Sequence, residues 1–587
     1  MFGGISKVLY LGVITSLLTA ALFSPPVYFW SPILQVILLS WALFLFLYDG
    51  GKQGFLEIKR PTLPVPLALF LAFAIFYTFK SVDYALSRDF AIQLLGYAAV
   101  FFLVIQIAAL KKTQGITLAI VIAGLLTSLY GLYQHCWGFE KLIGKITRGD
   151  VPQNFPLLAD IRGRLEGGRV FSTFLLPSHF AAFLGMTIPL SVALGFRISK
   201  KWVQGLVGLA AGLQIVALYL TKSFSGWLSL VLASGCFAGV YLVYVKQVKR
   251  RYLAYGTGVL LLLMVLIFTG LSLTRSDNPF AAVRSNPLVL RLLNWDIATD
   301  MIADDPLVGK GLNTFGLIYP SYRRPGVNIV HHAHNTYLQL GVEMSVVGML
   351  AFLWFCGWWV WRSVGMLRDE KNRDRVVWLS SVIVAGFAFL IHNALDFEFY
   401  LPSATMAGFA VLALAVSRAT EDGVCRIQLV GARKTFVTVS GFAAVIAGSI
   451  LLLLQLYGEM YYQRARYLLD LGFGSPKAAA LALRKAIDLD PRNSQYHHRY
   501  GTLLFRRFAR QEEGIAAVQQ AVKLSPWRHY YHYDLGMMYL CSGAKEKGLE
   551  EIRRASQLSP LNEEYRRMLE RIRNEMGDGD VALYGVQ

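Results

Sequence analysis

The sequence predicts an all-α, polytopic membrane protein followed by a helical-repeat domain. Of its 587 residues, 55% are hydrophobic and only 16% are charged, whereas a soluble domain carries about a quarter charged residues. Apolar stretches of about 20 residues, long enough to span a bilayer, recur from the N-terminus to Tyr457. This composition excludes an ordinary soluble enzyme, a disordered tail protein and a secreted disulfide scaffold.

Thirteen apolar stretches are the candidate membrane spans. The first is interpreted as an anchor, because it lacks the small-residue cleavage site that ends a signal peptide. A short turn at 221–223 keeps two stretches apart, and merging them would reverse the orientation of everything downstream. The thirteen lie at about 8–24, 29–48, 63–80, 90–110, 115–135, 179–196, 202–220, 223–245, 253–273, 336–361, 376–392, 403–417 and 435–457.

Seven alternate connections between these stretches, from Lys7 to Lys434, are rich in lysine and arginine. The positive-inside rule places such connections in the cytoplasm. They account for the net charge of +20 without nucleic-acid binding, so no nucleic-acid partner is expected. Thirteen spans from a cytoplasmic start put the loops 136–178 and 274–335 and the C-terminus outside, in the periplasm of a cell with two membranes. A multi-pass protein of the bacterial inner membrane is therefore predicted, with residues 1–457 as its transmembrane domain.

Residues 459–575 are polar and carry a repeat. The strings AIDLDP, AVKLSP and ASQLSP end at Pro491, Pro526 and Pro560, a period typical of tetratricopeptide repeats. Each proline is expected to end the second helix of a helix pair. Such α-solenoids usually present a concave surface to a protein partner, and a purely stiffening or dimerising role is the alternative.

The polar run from His331 to Leu350 is the richest candidate for chemistry. It contains His334, Asn335 and Glu343, and the last shares a helix face with Gln339, which should meet the protein interior rather than lipid. A histidine here could act as a general base, since its ordinary pKa lies near working pH. The alternative is an interfacial histidine that only bonds the backbone. No metal is expected, because the histidines lack HExxH spacing and the five cysteines form no CxxC pair.

Arginines on the predicted outer face form the second candidate feature. Guanidinium groups bind phosphates with two parallel hydrogen bonds and stay charged. We expect the cluster to bind an anion, although a solvated loop face is the simpler reading for any single arginine. The residues are Arg162, Arg164, Arg169, Arg284, Arg291, Arg323 and Arg324.

Three blocks of the sequence resemble the O-antigen ligase and polymerase superfamily of bacterial membrane glycosyltransferases. HAHNTYLQLGVEMSVVG resembles its signature. GGRVFSTFLLPSHFAAFLGM is similar to its Arg-x-x-Gly-Thr-Phe block, which is followed by Pro-Asn at the start of a span. RLLNWDIATDMIADDPLVGKGLNTF is similar to its Arg…Trp…Pro-Leu-x-Gly-x-Gly block in the long loop. The resemblance covers about 169–414 and implies a GT-C-like fold.

This resemblance implies a transferase that uses a polyprenyl-diphosphate-linked glycan as donor, with no nucleotide sugar or essential metal. Inversion is expected for a single displacement, and no cofactor is expected. By the same resemblance, His334 stands where a histidine activates the acceptor hydroxyl. Arg169 and Arg291 stand where arginines hold the donor diphosphate. We expect Arg323 or Arg324 to assist them. The chemistry agrees, because arginines can neutralise a diphosphate leaving group.

Three departures of the sequence from the superfamily pattern matter. In TKSFSGW, Phe224 stands where an arginine is usual, and Lys222 is the nearest cation that could replace it. Ser345 stands where the signature has glycine, and the Asn of the Pro-Asn block is missing from Pro177-Ser178-His179. These departures concern fine specificity more than the broad class.

One further pair, His392 and Asp396, lies at helical spacing near an outer helix end. Asp396 could orient His392 or the acceptor, and an ordinary polar helix terminus is the alternative.

The acceptor is open: lipid A core for a ligase, a glycan chain for a polymerase, or a protein for an O-oligosaccharyltransferase. A polysaccharide transporter or flippase is the alternative outside the enzyme class, but its charges should lie near the membrane midplane. A membrane-anchored scaffold acting only through its repeats is a third reading.

Overall fold

The computed structural model describes most of the chain, and most of the described part is helical. The prediction of an all-helical polytopic membrane protein is confirmed by eight described helices that are long and apolar enough to cross a membrane, with four shorter apolar helices beside them. The described residues are 5–23, 30–59, 64–109, 113–148, 165, 167–240, 242, 287–417, 424–470 and 475–576.

Fifteen described α-helices lie in the part of the chain up to Asp470, and the last of them runs into the repeat region. Twelve of them coincide with predicted spans, α8 and α9 are separate as expected, and the predicted span 253–273 lies outside the described residues. The helices are α1 (Ile5–Leu22), α2 (Ser31–Gln53), α3 (Val65–Phe79), α4 (Tyr84–Ala109), α5 (Thr113–Tyr133), α6 (Phe139–Thr147), α7 (Pro177–Arg197), α8 (Lys201–Leu220), α9 (Phe224–Val240), α10 (Pro287–Asp304), α11 (Phe315–Tyr322), α12 (Thr336–Asp369), α13 (Arg373–Leu395), α14 (Pro402–Val416) and α15 (Gly431–Asp470).

Helices α7 and α14 form the centre of the bundle. Every residue of α14 is buried, as are nearly all residues of α7. Both begin with a proline in the first turn, where the missing N–H costs nothing and the fixed φ favours the helix. Because lipid provides no hydrophobic drive between helices, these helices are held by close packing, as where Gly408 of α14 lies against the Phe389 ring of α13.

A two-stranded antiparallel sheet departs from the all-α prediction in the described part of the chain. Strand β1 (Phe55–Lys59) follows α2, and strand β2 (Val424–Gln428) precedes α15. Glu57 lies opposite Arg426 and forms an ion pair with it at 2.8 Å. The strands are short, which is why a search for long apolar stretches missed them. Their connections place the sheet at the opposite end of the bundle from the start of α12.

The long loop before α12 contains two helices that the sequence treated as loop. α10 and α11 pack over the bundle end at which α12 begins and form a small core of their own. Tyr319 of α11 is fully buried there and donates to the Asn294 side chain at 2.6 Å. This outer layer carries Arg291 and Trp295 towards α12 and α13.

The repeat region begins inside a membrane helix, since α15 runs unbroken from Gly431 to Asp470 and contains the predicted boundary at 457–459. Six further helices follow, and the ends of α16, α18 and α20 fall just before the three repeat prolines. Gly536 of α19 allows close approach, because a Cβ there would meet the Gly548 carbonyl oxygen at 2.9 Å. The tetratricopeptide assignment stays a prediction. The helices are α16 (Pro476–Leu489), α17 (Ser494–Phe508), α18 (Gln511–Leu524), α19 (His529–Cys541), α20 (Lys545–Leu558) and α21 (Glu563–Met576).

Candidate active site

The three blocks meet around the short segment that joins α13 to α14. His334 Nδ1 lies 2.9 Å from Asp396 Oδ1, and Arg291 Nη2 lies 3.1 Å from Oδ2 of the same carboxylate. His179, at the start of α7, lies against the Phe397 ring with 4.8 Å between ring centroids. One residue from each block therefore reaches either Asp396 or its neighbour Phe397.

His334 is held in an unusual backbone conformation immediately before α12. Its φ is +52°, in the left-handed region that few residues other than glycine adopt. Trp295 Nε1 donates to its carbonyl oxygen at 3.1 Å, and Asn335 caps α12 by accepting from the Tyr337 and Leu338 backbone N–H groups. The imidazole is 26% exposed, so it is fixed on one side and open on the other.

Asp396 is fully buried at the end of α13. Burial opposes its ionisation, but the charges of Arg291 and His334 and the hydrogen bond with His334 outweigh burial and hold its pKa well below the ordinary value. When His334 is neutral, an ionised Asp396 accepts a hydrogen bond from its Nδ1–H, which leaves Nε2 as the nitrogen that can take up a proton. This arrangement suits general-base chemistry.

Gln339 and Glu343 share a face of α12 that meets the protein interior, as predicted, and both are fully buried. The Glu343 carboxylate accepts from the backbone N–H groups of Asn313 at 2.7 Å and Phe315 at 3.2 Å, and from the Tyr400 hydroxyl at 2.8 Å. Gln339 Nε2 also donates to it at 2.9 Å. Glu343 therefore anchors the loop before α11 to α12.

Arg169 and Lys222 form a second group of cations beside the α8–α9 turn. Arg169 Nε donates to the Thr221 carbonyl oxygen at 3.2 Å. Lys222 Nζ donates to the Gly167 carbonyl oxygen at 2.9 Å and lies exposed. The structure thus brings the family-implied arginine and the nearest substitute for the missing one to the same short segment.

The remaining predicted arginines are distributed differently. Arg324 is exposed and ion-paired with Asp296, at 2.5 Å, and with Asp300. Arg323 directly follows the last residue of α11 and is half-buried. Three others, Arg162, Arg164 and Arg284, lie outside the described residues.

Part of the chain matches a known protein family, which supports the broad class. Residues 209–353 match the O-antigen ligase family model. The match confirms the predicted relationship to the O-antigen ligase superfamily and supports a glycan-transferring membrane enzyme. None of the curated proteins matches the chain.

The O-antigen ligase match contains only part of the site. Lys222, Arg291 and His334 lie within the matched residues, whereas Arg169 and Asp396 lie outside them. The carboxylate that orients His334 is therefore contributed by a helix end beyond the matched region.

A buried group lies next to His334 and Asp396, and sequence reasoning missed two of its members, His179 and Glu398. His179, His392 and Glu398 are all fully buried, and none of their side-chain nitrogens and oxygens has a hydrogen-bond partner within the described structure. His392 Nδ1 lies 3.4 Å from Glu398 Oε1. Burial and the negative charge of Asp396 raise the pKa of Glu398 well above its ordinary value. The expected pairing of His392 with Asp396 is limited to the backbone, where Asp396 N–H donates to the His392 carbonyl.

This group also bears on the predicted absence of a metal. His179, Asp396 and Glu398 each offer a ligand atom, and these atoms lie within 4.8 Å of one another. The ligand types suit a divalent transition metal. However, both Asp396 oxygens already contact His334 or Arg291, whose guanidinium would repel a dication. The sequence signal for the group was the pair of acidic residues in DFEFYLP, set between two apolar helices.

Proposed function

We propose that this protein transfers a glycan from a polyprenyl diphosphate to an acceptor hydroxyl, as an O-antigen ligase does. The observation that supports this best is the shared carboxylate of Asp396, which contacts the predicted base His334 and the predicted diphosphate-binding Arg291 through different oxygens. A base and a cation held side by side match the two demands of the reaction: deprotonating a hydroxyl and stabilising a departing diphosphate.

In the proposed step, the acceptor oxygen attacks the anomeric carbon while the bond from that carbon to the diphosphate oxygen breaks. Nε2 of His334 takes the hydroxyl proton, and the polyprenyl diphosphate leaves with the bonding electron pair. Arg291 neutralises charge on the leaving group, and Arg169, Lys222 and Arg323 are further candidates for binding the donor. A single displacement inverts the anomeric centre, and no metal or cofactor takes part.

We further propose that the bundle end with His334 faces the periplasm and that the protein lies in the bacterial inner membrane. The basic connections alternate along the chain, and the described ones that flank β1 and β2 lie at the opposite end of the bundle from His334. The ionisable cluster thus lies at one membrane face, where a lipid-linked donor and a water-soluble acceptor can meet. A transporter would instead be expected to hold its charges near the midplane.

The acceptor separates the ligase from the polymerase and the protein O-oligosaccharyltransferase. A protein acceptor is favoured by one observation: the repeat helices lie against the bundle end that carries His334, through contacts such as the 2.7 Å ion pair between Arg88 of α4 and Asp490. A protein partner bound by the repeats would be close to the site.

The decisive experiment uses the full-length protein in nanodiscs with a defined undecaprenyl-diphosphate oligosaccharide. Lipid A core, a free glycan chain and a serine-containing peptide are offered separately, and release of undecaprenyl diphosphate is measured with each. One acceptor should support transfer, and His334→Ala should abolish it. The exposed His135 provides a matched His135→Ala control, which should keep full activity. Equal transfer by the His334→Ala protein would overturn the proposal.

A further inference from the structure

The repeat domain is joined to the membrane domain by a buried ion pair. Arg528, between α18 and α19, donates from Nη2 to Asp83 Oδ2 at 3.2 Å and from Nε at 3.3 Å. Asp83 lies in the short connection between α3 and α4, and the two residues are only 1% and 7% exposed. Ser494, at the start of α17, also donates to Asp83 Oδ2 at 3.4 Å. A charge this deeply buried strongly destabilises its surroundings when its partner is removed.

Neighbouring contacts extend this interface. The residue before Arg528, Trp527, packs against the small core of the outer layer, as does Val82 beside Asp83. The Lys310 ammonium group lies 5.6 Å from the Trp527 ring centroid. The repeat domain therefore contacts both the α3–α4 connection and the loop between α10 and α11.

That loop is fitted closely to the α3–α4 connection. The Val82 backbone N–H donates to the Lys310 carbonyl oxygen at 3.0 Å, and the Ser87 hydroxyl donates to the Leu312 carbonyl oxygen at 2.7 Å. Gly311 has φ +105°, and a Cβ there would lie 2.1 Å from Ser81 Oγ. Only glycine fits at this crossing, which gives a physical reason for the second glycine of the Pro-Leu-x-Gly-x-Gly block.

The other side of the same loop is bound to the start of α12. The Gly311 N–H donates to the Glu343 carbonyl oxygen at 2.9 Å, and the Asn313 N–H donates to its side chain at 2.7 Å. Glu343 accepts from Gln339, whose Oε1 accepts from the Ala333 N–H at 3.1 Å. Ala333 directly precedes His334. Hydrogen bonds and packing thus run without a gap from Arg528 to the turn that carries the imidazole.

We propose that Asp83 and Arg528 are positioning residues, through which the repeat domain holds the 305–314 loop against Glu343 and so fixes the turn of His334. The effect on catalysis rests on the proposed function, whereas the effect on the loop does not. The repeat domain then supports the geometry of the active site, in addition to offering a surface for partners. Loss of the ion pair loosens the loop and lowers the turnover rate, while donor binding at the arginines is left intact.

The test compares three full-length variants in nanodiscs. Asp83→Asn removes the charge but keeps a side chain that can cap α4, as Asp83 Oδ1 does by accepting from the Leu86 N–H at 3.2 Å. Arg528→Gln removes the partner charge, and Arg528→Lys keeps it. The control is Arg567→Gln, which breaks an exposed ion pair with Glu563 within α21.

Two readouts are taken from each variant: hydrogen exchange of the amides of Gly311, Asn313, Phe315 and Ala333, and transfer kinetics. In Asp83→Asn and Arg528→Gln, exchange should rise about tenfold or more, since local opening becomes easier. The kcat should fall about tenfold while the donor KM changes by less than about twofold. Arg528→Lys should recover most of the slow amide exchange and most of the kcat. Arg567→Gln should match the wild-type protein in both.

Unchanged exchange at these amides would overturn the proposal, as would faster exchange with an unchanged kcat. If the wild-type protein transfers no glycan, only the proposed function is overturned. Hydrogen exchange then still decides whether the ion pair holds the loop. If Asp83→Asn fails to fold, the comparison of Arg528→Lys with Arg528→Gln decides the same question.

Discussion

His334 Nδ1 lies 2.9 Å from Oδ1 of Asp396, a residue 62 positions further along the chain. Because α13 ends at Leu395 and Asp396 adopts an extended conformation there, the carboxylate faces the turn before α12 rather than the preceding turn of its own helix. The pair has the geometry of a base and the group that orients it.

Replacement of Asp396 by Asn should lower transfer by about a hundredfold or more, the range expected for loss of general-base catalysis. The amide can donate to the imidazole and favour the wrong tautomer, and Arg291 loses its charged partner. The kcat of the Asp396→Asn protein is measured with the undecaprenyl-diphosphate donor. Asp374→Asn, at the exposed opposite end of the same helix, is the control and should be silent. A small effect at Asp396 would show that His334 works without it.

The sequence singled out His334 and Arg291 as candidates, because the blocks that carry them are local strings of residues. It could not identify the partner of Asp396, since helical spacing points from Asp396 to His392, whereas the actual partners are brought in by the folding of α10 and α12 onto the end of α13. The buried Glu398 was missed for the same reason. Spacing along one helix predicts neighbours on that helix, and tertiary contacts decide the rest.

Ser345 and a further position, Ser172 at the glycine of the Arg-x-x-Gly-Thr-Phe block, depart from the superfamily pattern in a way that the backbone explains. Ser172 and Ser345 stand where the similar blocks have glycine, and their φ values are +54° and +65°. Both positions therefore keep the left-handed backbone that glycine favours, although the residue has changed. The Ser172 hydroxyl donates to the Thr127 carbonyl oxygen at 2.6 Å, which helps to hold this conformation. Ser345, which the sequence alone linked to fine specificity, therefore preserves the local backbone conformation.

The pH dependence of stability should include a contribution from His332. Its ring stacks on Phe397 at 4.2 Å between centroids, and burial, together with His334 and His331, lowers its pKa to about 3. The unfolded chain takes up the proton below about pH 6.5, whereas the folded protein does not until about pH 3, so stability falls as pH decreases through this window. The loss should be about 1–2 kcal/mol at pH 5.

This contribution is measured as the Tm of detergent-solubilised His332→Gln relative to wild type, from pH 7.5 down to pH 5. As the pH decreases, the Tm of the wild-type protein should fall towards that of His332→Gln, or below it. His135→Gln, at an exposed histidine, should give a Tm difference that does not change with pH. A constant difference for His332→Gln would show that His332 is protonated equally in both states.

Metal removal should leave transfer intact. The ligand atoms of His179, Asp396 and Glu398 are near enough to hold an ion, but the Arg291 guanidinium lies 3.1 Å from one of the Asp396 oxygens and supplies the positive charge instead. We expect dialysis against EDTA to preserve the kcat. Elemental analysis should find equally little divalent metal in the wild-type and Glu398→Gln proteins. Activity lost to EDTA and restored by Mn²⁺ or Zn²⁺ would reverse this expectation.

At position 345, within α12, glycine should give a more stable protein than alanine. Its φ of 65° and ψ of 173° interrupt α12 in a region that only glycine adopts without strain, at a cost of about 1–3 kcal/mol for other residues. Its hydroxyl partly offsets this by accepting from the Tyr77 hydroxyl at 2.8 Å. Ser345→Ala loses that bond and keeps the strain, whereas Ser345→Gly loses the bond and relieves the strain. Ser345→Gly should therefore unfold at the higher temperature.

The same pair of substitutions at Ser363 is the control, because Ser363 is buried in a regular part of α12 and its hydroxyl donates only to the Val360 carbonyl oxygen. There the ordinary order applies, and alanine should be more stable than glycine by about 1 kcal/mol. Thermal unfolding of the four detergent-solubilised proteins gives both comparisons. An alanine preference at both serines would show that the Ser345 backbone is helical in solution, and the reversed order at Ser345 alone would show that the bend beside Glu343 is built into the protein.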